Sequence, residues 1–101
     1  MTGVDVVDDA RILDAIRALL ADDFGSTEGR VIEFYADPRL ALTNPIEYAR
    51  MLQNIFGRGA GFLLRVIIRG LGREFGVQVD EGTTLDECMN ALKPTAIWTS
   101  P

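Results

Sequence analysis

The chain of 101 residues contains no histidine and a single cysteine, Cys88. Without histidine, transition metals lose their commonest protein ligand, and one cysteine cannot form an internal disulfide or a metal cluster. The Ser-His-Asp and Cys-His arrangements of hydrolases need an imidazole as general base, so neither can be built within this chain. We therefore predict no metal, no cofactor and no catalytic residues. A carboxylate-based enzyme stays open, because acidic residues number 15.

The sequence also lacks a long uninterrupted apolar run. Its longest, residues 60–71, is broken by Arg65 and Arg69, whereas a helix that spans a bilayer needs about 20 predominantly apolar residues. Acidic residues occupy the N-terminal region, where a secretory signal would carry positive charge. We therefore expect a cytoplasmic protein with no membrane span.

Composition indicates one globular domain, because 48% of the residues are hydrophobic and 25% are charged. Residues 1–101 are predicted to form a single helical domain with a short C-terminal tail, residues 94–101. The net charge of −5 is unevenly distributed: residues 1–40 carry −5, residues 41–79 carry +3 and residues 80–101 carry −3. A basic middle between acidic ends can be neutralised within one fold or can form an anion-binding surface.

Apolar residues recur at helical spacing in the first third of the chain. A first helix is predicted from about residue 8 to 22, with one apolar face formed by Ile12, Leu13, Ile16, Leu19 and Leu20. A second helix is predicted from about residue 26 to 36, although its VIEFY segment is also compatible with a strand. Its expected buried residues are Val31, Ile32, Phe34 and Tyr35. Asp37-Pro38 is expected to end it, with Leu40 and Leu42 in an irregular connection.

Three further helices are indicated by start and stop signals. Asn44-Pro45 with Glu47 predicts a helix start, and that helix is expected to end at Gly57. Its predicted apolar positions are Ile46, Met51, Leu52, Ile55 and Phe56. The next helix, about residues 60–75, is strongly apolar and is followed by a glycine suited to a C-terminal cap. The T-x-x-E pattern of residues 84–87 predicts a last helix, to about residue 92, with Cys88 in the core. The sequence thus predicts an all-α fold: a compact bundle of four to five helices around an apolar central helix.

Glycines cluster where the central helix is expected to begin, at Gly57, Gly59 and Gly61. Backbone N–H groups at a helix N-terminus can bind an anion, and Arg58 would add charge there. However, a helix rather than a strand precedes these glycines, and no Gly-Lys-Ser/Thr ending follows, so known nucleotide-binding loops do not fit. The favoured interpretation is a tight turn between helices.

Four arginines are predicted to project from one side of the central helix and the turn before it: Arg58, Arg65, Arg69 and Arg73. They are candidates, with Gly59 and Gly61, for contact with an anion or an acidic partner. The alternative is a solvated face whose arginines pair with acidic residues of the first helix or with Asp80 and Glu81. Nucleic acid is disfavoured, because the chain is acidic overall and no aromatic side chains alternate with the arginines.

Two features point to protein partners. The central helix is apolar around most of its circumference, which suggests burial in the bundle or in a homodimer interface. Its Gly70 and Gly72 are best explained by a close helix crossing. Trp98 in the tail either packs on the bundle or anchors a partner.

Residues 44–77 also show a family resemblance, through an N-P-x-x-(Y/F) helix start that leads to I-F-G-x-G-A and a strongly apolar helix. The matching positions are Asn44, Pro45, Tyr48, Ile55, Phe56, Gly57, Gly59 and Ala60. Over about residues 24–92 the chain resembles the small helical output-domain family found at the ends of archaeal signalling proteins. The resemblance implies a non-enzymatic module that acts through protein contacts, and it transfers no catalytic residue. Unlike the usual members of that family, this chain is not expected to carry an attached sensor or receiver domain.

The leading hypothesis is therefore a regulatory or signalling interaction module that contacts a protein partner or a second copy of itself. The alternative is a protein that binds a small ligand or an anion through the residue 57–61 turn and the arginine stripe.

Overall fold

The structure, a computed structural model, describes residues 8–93, which form six α-helices and no strand. The all-α prediction is confirmed. The helices, in chain order, are α1 (Asp9–Phe24), α2 (Ser26–Tyr35), α3 (Arg39–Thr43), α4 (Pro45–Phe56), α5 (Gly59–Phe75) and α6 (Leu85–Leu92). None of these helices is both long enough and apolar enough to cross a membrane. Trp98 and the rest of the predicted tail lie outside the described residues.

The predicted helix starts are confirmed by side-chain caps. The Asn44 side chain accepts the Glu47 backbone N–H at 3.1 Å, and Pro45 occupies the first turn of α4. At α6 the capping box is complete, because the Glu87 N–H donates to the Thr84 hydroxyl at 3.3 Å and the Glu87 carboxylate accepts the Thr84 N–H at 2.9 Å. Each cap satisfies a donor that the first helical turn leaves without a partner.

The core is built around α5, which packs against α1, α4 and α6. The prediction of an apolar central helix is confirmed, because seven of its residues are buried: Ala60, Leu63, Ile67, Ile68, Gly70, Leu71 and Gly72. From α1 the helical stripe of Ile12, Ile16 and Leu20 is fully buried. Cys88 is 1% exposed, so its predicted place in the core is also confirmed. Burial of this apolar surface is the main force that holds the six helices together.

The close helix crossing predicted at Gly70 is confirmed. Leu19 of α1 fills the space that a side chain at Gly70 would occupy, so a Cβ at this position would force the Leu19 side chain to move. Gly72 is also closely covered, but by residues 77–79 of the same chain rather than by a helix. Gly61, in contrast, has no heavy atom near its missing Cβ, so it is not a point of close approach.

Residues 39–43 differ from the prediction, because Leu40 and Leu42 lie in a helix rather than in an irregular connection. Asp37 explains the difference. Its carboxylate accepts the Arg39 backbone N–H at 2.9 Å and pairs with the Arg39 guanidinium at 2.8 Å. These bonds hold the pKa of Asp37 below its usual value. Asp37-Pro38 therefore ends one helix and also begins the next.

The predicted buried face of α2 is wrong for three of its four residues. Ile32 is buried, but Val31, Phe34 and Tyr35 are exposed. The reason is that α2 packs chiefly against α1, and it does so through Gly29 and Ile32. A Cβ at Gly29 would lie 3.2 Å from the backbone of α1. The Gly29 side of α2 is therefore in close contact with α1, and the exposed apolar side chains lie on its other side.

The core side chains of α4 also differ from the prediction. Of the predicted apolar positions, Leu52 is fully buried as expected, but Ile46 and Ile55 are exposed. Tyr48 is fully buried as well. The sequence pattern did not count Tyr48 among the apolar positions, because tyrosine carries a hydroxyl and is found both inside and at surfaces.

Candidate functional site

The four arginines of the predicted stripe are all exposed, but the structure divides them. Arg65 and Arg69 line a groove of about 480 Å³, whereas Arg58 and Arg73 lie outside it. Within residues 8–93, none of the four guanidinium groups is within 4.0 Å of a carboxylate oxygen. The ion pairs with α1 that would make the stripe a neutralised face are therefore not formed in this part of the chain.

The groove lies where α4, α5 and the connection to α6 meet, and these three helices pack on one another. Its basic side is formed by two helices, with Arg50 from α4 joining Arg65 and Arg69 from α5. Arg50 pairs with Glu47 at 3.3 Å on its own helix, so part of its charge is neutralised locally. Gly61 also lines the groove, one turn before Arg65, while Gly59 does not.

The acidic side comes from the segment between α5 and α6 and carries Asp80, Glu81 and Asp86. This segment is shaped by hydrogen bonds of the Asp80 carboxylate, which accepts the Gly82 N–H at 2.8 Å and the Thr83 hydroxyl at 3.1 Å. Such an Asx turn fixes the backbone without regular secondary structure. The alternative prediction that arginines of the stripe pair with Asp80 and Glu81 is not met within residues 8–93, because no ion pair joins them. Both acidic residues nevertheless line the same groove as Arg65 and Arg69.

Apolar side chains lie between the two charged sides. Ile68 and Leu85 are almost completely buried, and Leu64 is half-buried. All three line the groove, so its base is apolar while both of its sides are charged. A groove of this size, with an apolar base and a few charged groups, has the general character of a small-molecule site.

The acidic side of the groove does not gather its carboxylates into one cluster. In the part of the chain that the structure describes, no three carboxylate, thiol or imidazole groups come together in a way that could hold a metal ion. Carboxylates there are engaged with backbone donors or face the groove individually. The chemistry that the groove offers is therefore charge pairing and apolar contact.

The turn between α4 and α5 has the structure that the sequence predicts. Gly57 has a φ of 56° and ends α4, and the Ala60 N–H donates to the Gly57 carbonyl oxygen at 3.1 Å. A positive φ is readily adopted only by glycine, which explains the residue at this position. Arg58 lies in the turn without a side-chain hydrogen bond to the helix start.

A second candidate surface is the outer face of α2, formed by Val31, Phe34 and Tyr35, which we call the α2 face. The exposed fractions of these side chains are 46%, 82% and 57%. The two aromatic rings contact each other edge to face, with centroids 5.2 Å apart. Sequence reasoning identified these residues as apolar but assigned them to the core. Only the packing of α2 on α1 shows which side faces out.

The Tyr48 hydroxyl is the one buried side-chain polar atom in residues 8–93 that has no hydrogen-bond partner. Burial raises the pKa of Tyr48 above its ordinary value of 10.0, and the nearby carboxylates Glu33 and Asp37 raise it further. The group is fully enclosed and lines neither the groove nor the α2 face. It is a feature of the core whose effect on stability can be measured.

Comparison with known proteins adds no assignment: no protein-family model, no curated protein and no solved structure matches this chain.

Proposed function

We propose that the protein is a non-enzymatic interaction module that acts through protein-protein contacts made by the α2 face. The observation that carries the proposal is the exposure of Phe34, 82% of whose surface is open to solvent beside two other large apolar residues. A single exposed apolar side chain is ordinary, but three on one helix face form a patch. Aromatic residues are enriched at the centres of protein interfaces, where they contribute much of the binding energy.

A second copy of the chain is the partner that the proposal favours. In a two-fold symmetric dimer the same patch is presented by both subunits, so a self-complementary apolar face covers itself. Two copies of α2 lying against each other would bury the Phe34 and Tyr35 rings of both chains. Side chains that neighbour the α2 face would have to contribute as well, because a stable interface buries about 800 Å² on each partner.

The regulatory or signalling role belongs to the same proposal. It is supported by the resemblance of residues 44–77 to helical output domains of archaeal signalling proteins, and by the lack of histidine for acid-base or metal chemistry. A module of this kind works by presenting a surface whose occupancy changes. The α2 face is the exposed apolar surface that best suits this role.

The alternative function is the binding of an anion or small ligand by the residue 57–61 turn and the arginine stripe. The structure offers partial support for it, because Gly61, Arg65 and Arg69 line one groove. Arg58, Arg73 and Gly59 lie outside that groove, so the stripe does not act there as a unit of four. Raised thermal stability with inorganic phosphate, lost in Arg58→Gln, would favour the turn itself as the anion site.

Light scattering of the purified chain tests the interaction proposal. We expect a mass near twice the 11.1 kDa of one chain at about 100 µM, and a shift to monomer in Phe34→Ser. Phe62→Ser is the matched control, because Phe62 is also an exposed phenylalanine, at 62%, but lies on α5 against the Phe24 ring. A wild-type chain that stays monomeric, or a dimer that Phe34→Ser leaves intact, would contradict self-association through the α2 face.

A further inference from the structure

The two sides of the groove carry opposite charges that the described residues do not neutralise. Arg65 and Arg69 form no ion pair within residues 8–93, and neither do Glu81 and Asp86 on the other side. The two sets belong to different segments, α5 and the start of α6 with its preceding turn, and both line the groove without coming within 4.0 Å of each other. Each side therefore presents charge to whatever occupies the groove.

The acidic side is held in place independently of the arginines. Asp80 is fixed by its hydrogen bonds to Gly82 and Thr83, and the start of α6 is fixed by the Thr84–Glu87 capping box. Asp86 also lies in the first turn of α6, where the helix dipole favours a negative charge. Asp80 and Asp86 thus have a local reason to stay where they are, and they do not need the arginines of the groove to hold their position.

Between the charged sides, the base of the groove is apolar. Ile68 and Leu85 are 7% and 3% exposed, and Leu64 is half-buried. A purely ionic ligand would leave the apolar base of the groove uncovered. A purely apolar ligand would displace water from both sets of charged side chains without replacing it, which costs free energy. The ligand that matches all three parts has an apolar body between an acidic end and a basic end.

We infer that the groove binds a small zwitterionic molecule whose carboxylate or phosphate contacts Arg65 and Arg69, whose ammonium group contacts Glu81 and Asp86, and whose apolar body covers Leu64 and Ile68. The size of the groove, about 480 Å³, suits a molecule of this class. The inference does not rest on the proposed interaction function, because the groove and the α2 face share no residue.

The competing explanation is that the two sides attract each other through solvent and need no ligand. Separated surface charges in water interact weakly and are screened by salt, so such an arrangement leaves the groove open without giving it affinity for an added molecule. The two explanations therefore differ in what a titration would show.

Three probes with the same eight-carbon chain separate the contributions: 8-aminooctanoate, octanoate and octylammonium. Each is titrated into the full chain up to about 10 mM, with binding followed by amide chemical shifts and by thermal unfolding. We expect 8-aminooctanoate to bind about tenfold more tightly than either singly charged probe, because it alone engages both sides of the groove. The shifts should centre on Leu64, Ile68 and residues 80–86.

The matched variants are two double substitutions that remove the same charge from the same stripe. Arg65→Gln with Arg69→Gln should weaken 8-aminooctanoate by about tenfold or more, because both guanidinium groups contact its acidic end. Arg58→Gln with Arg73→Gln should change its affinity by less than about twofold, because these residues lie outside the groove. Glu81→Gln should weaken 8-aminooctanoate but not octanoate. All five residues are exposed, so the variants should fold, and circular dichroism checks this.

Three results would overturn the inference. They are no binding of 8-aminooctanoate at about 10 mM, equal binding of octanoate and 8-aminooctanoate, and equal loss of affinity in the two double variants. If 8-aminooctanoate does not bind, the two sets of charges only attract each other weakly through solvent. If octanoate binds equally well, the groove is an anion site. If the two double variants lose affinity equally, the effect comes from the overall charge of the protein.

Discussion

The Val77 backbone closes over Gly72 at the end of the central helix. The Val77 N–H donates to the Gly72 carbonyl oxygen at 2.9 Å, one of the bonds that complete a Schellman-like cap with Gly76 in the left-handed conformation. A Cβ at Gly72 would lie 2.8 Å from the Val77 carbonyl oxygen and 3.1 Å from the Val79 side chain. Gly72 therefore permits a chain reversal that packs residues 77–79 against α5, and this reversal leads into the acidic side of the groove.

Gly72→Ala should lower the free energy of unfolding by about 1–2 kcal/mol. The new methyl group meets a backbone atom that cannot rotate away, and this overpacking outweighs the higher helix propensity of alanine. Gly61→Ala is the matched control in the same helix. It should leave stability unchanged or raise it by up to about 1 kcal/mol, because the space around Gly61 is open. Urea unfolding measures both, and a stabilised Gly72→Ala variant would contradict the close contact.

The buried hydroxyl of Tyr48 should make stability fall at high pH. The native state keeps the proton above pH 10.0, the ordinary pKa of tyrosine, because burial raises the pKa in the fold, whereas the unfolded chain loses it. The native state then binds more protons than the unfolded state, so the free energy of unfolding decreases as pH rises, by up to about 1.4 kcal/mol per pH unit. This contribution is constant below pH 10.0.

Tyr48→Phe isolates that contribution. At neutral pH the variant should be as stable as the wild type or more stable by up to about 1 kcal/mol, because it removes a buried hydroxyl that has no partner in the described residues. Above about pH 10 it should lose less stability than the wild type. Tyr35→Phe, at a side chain 57% exposed, is the control and should follow the wild type. If urea unfolding shows that the free energies of unfolding of wild type and Tyr48→Phe change with pH in the same way, the prediction is wrong.

Cys88 should react slowly with thiol reagents in the folded protein. It is 1% exposed, and burial raises the pKa of its thiol above the ordinary value of 9.0, which lowers the fraction of reactive thiolate. Labelling by a disulfide reagent should be at least about 100-fold slower in buffer than in denaturant, because it requires opening of α6.

A matched variant moves the thiol to the surface of the same helix. Cys88→Ala with Ala91→Cys places it at an exposed position of α6 and should label at nearly the unfolded rate. Because Cys88 is the only cysteine, the labelling signal in each protein comes from a single site. Fast labelling of the wild type would show that α6 opens readily or that Cys88 is not buried.

Local signals in the sequence were sufficient for five of the six helices of residues 8–93, α3 being the exception. The helix starts at Asn44 and at Thr84 are capped by side chains within their own first turns, and α4 ends at Gly57 with a positive φ. None of these signals depends on the rest of the fold. Asp37 shows the limit of such signals. It both ends and begins a helix, and its bond to the Arg39 N–H forms only when the following residues turn.

The candidate surfaces could be predicted only in part. Helical spacing predicts one stripe of four arginines, but the connection to α6 decides that only Arg65 and Arg69 of the stripe share a groove with acidic groups. The same limit applies to α2, where the pattern identified Phe34 as apolar and the contact through Gly29 left it outside the core.

The sequence by itself determined an all-α chain with a buried central helix, because capping residues, glycines and apolar periodicity act within a few residues of one another. Only the tertiary structure decided that Phe34 is exposed, that Tyr48 is buried and that Arg65 and Arg69 line one groove with Glu81 and Asp86. Those outcomes depend on which helix faces pack together. Packing joins residues far apart in the chain, and its choice among similar apolar faces is set by close contacts such as that of Gly70 with Leu19.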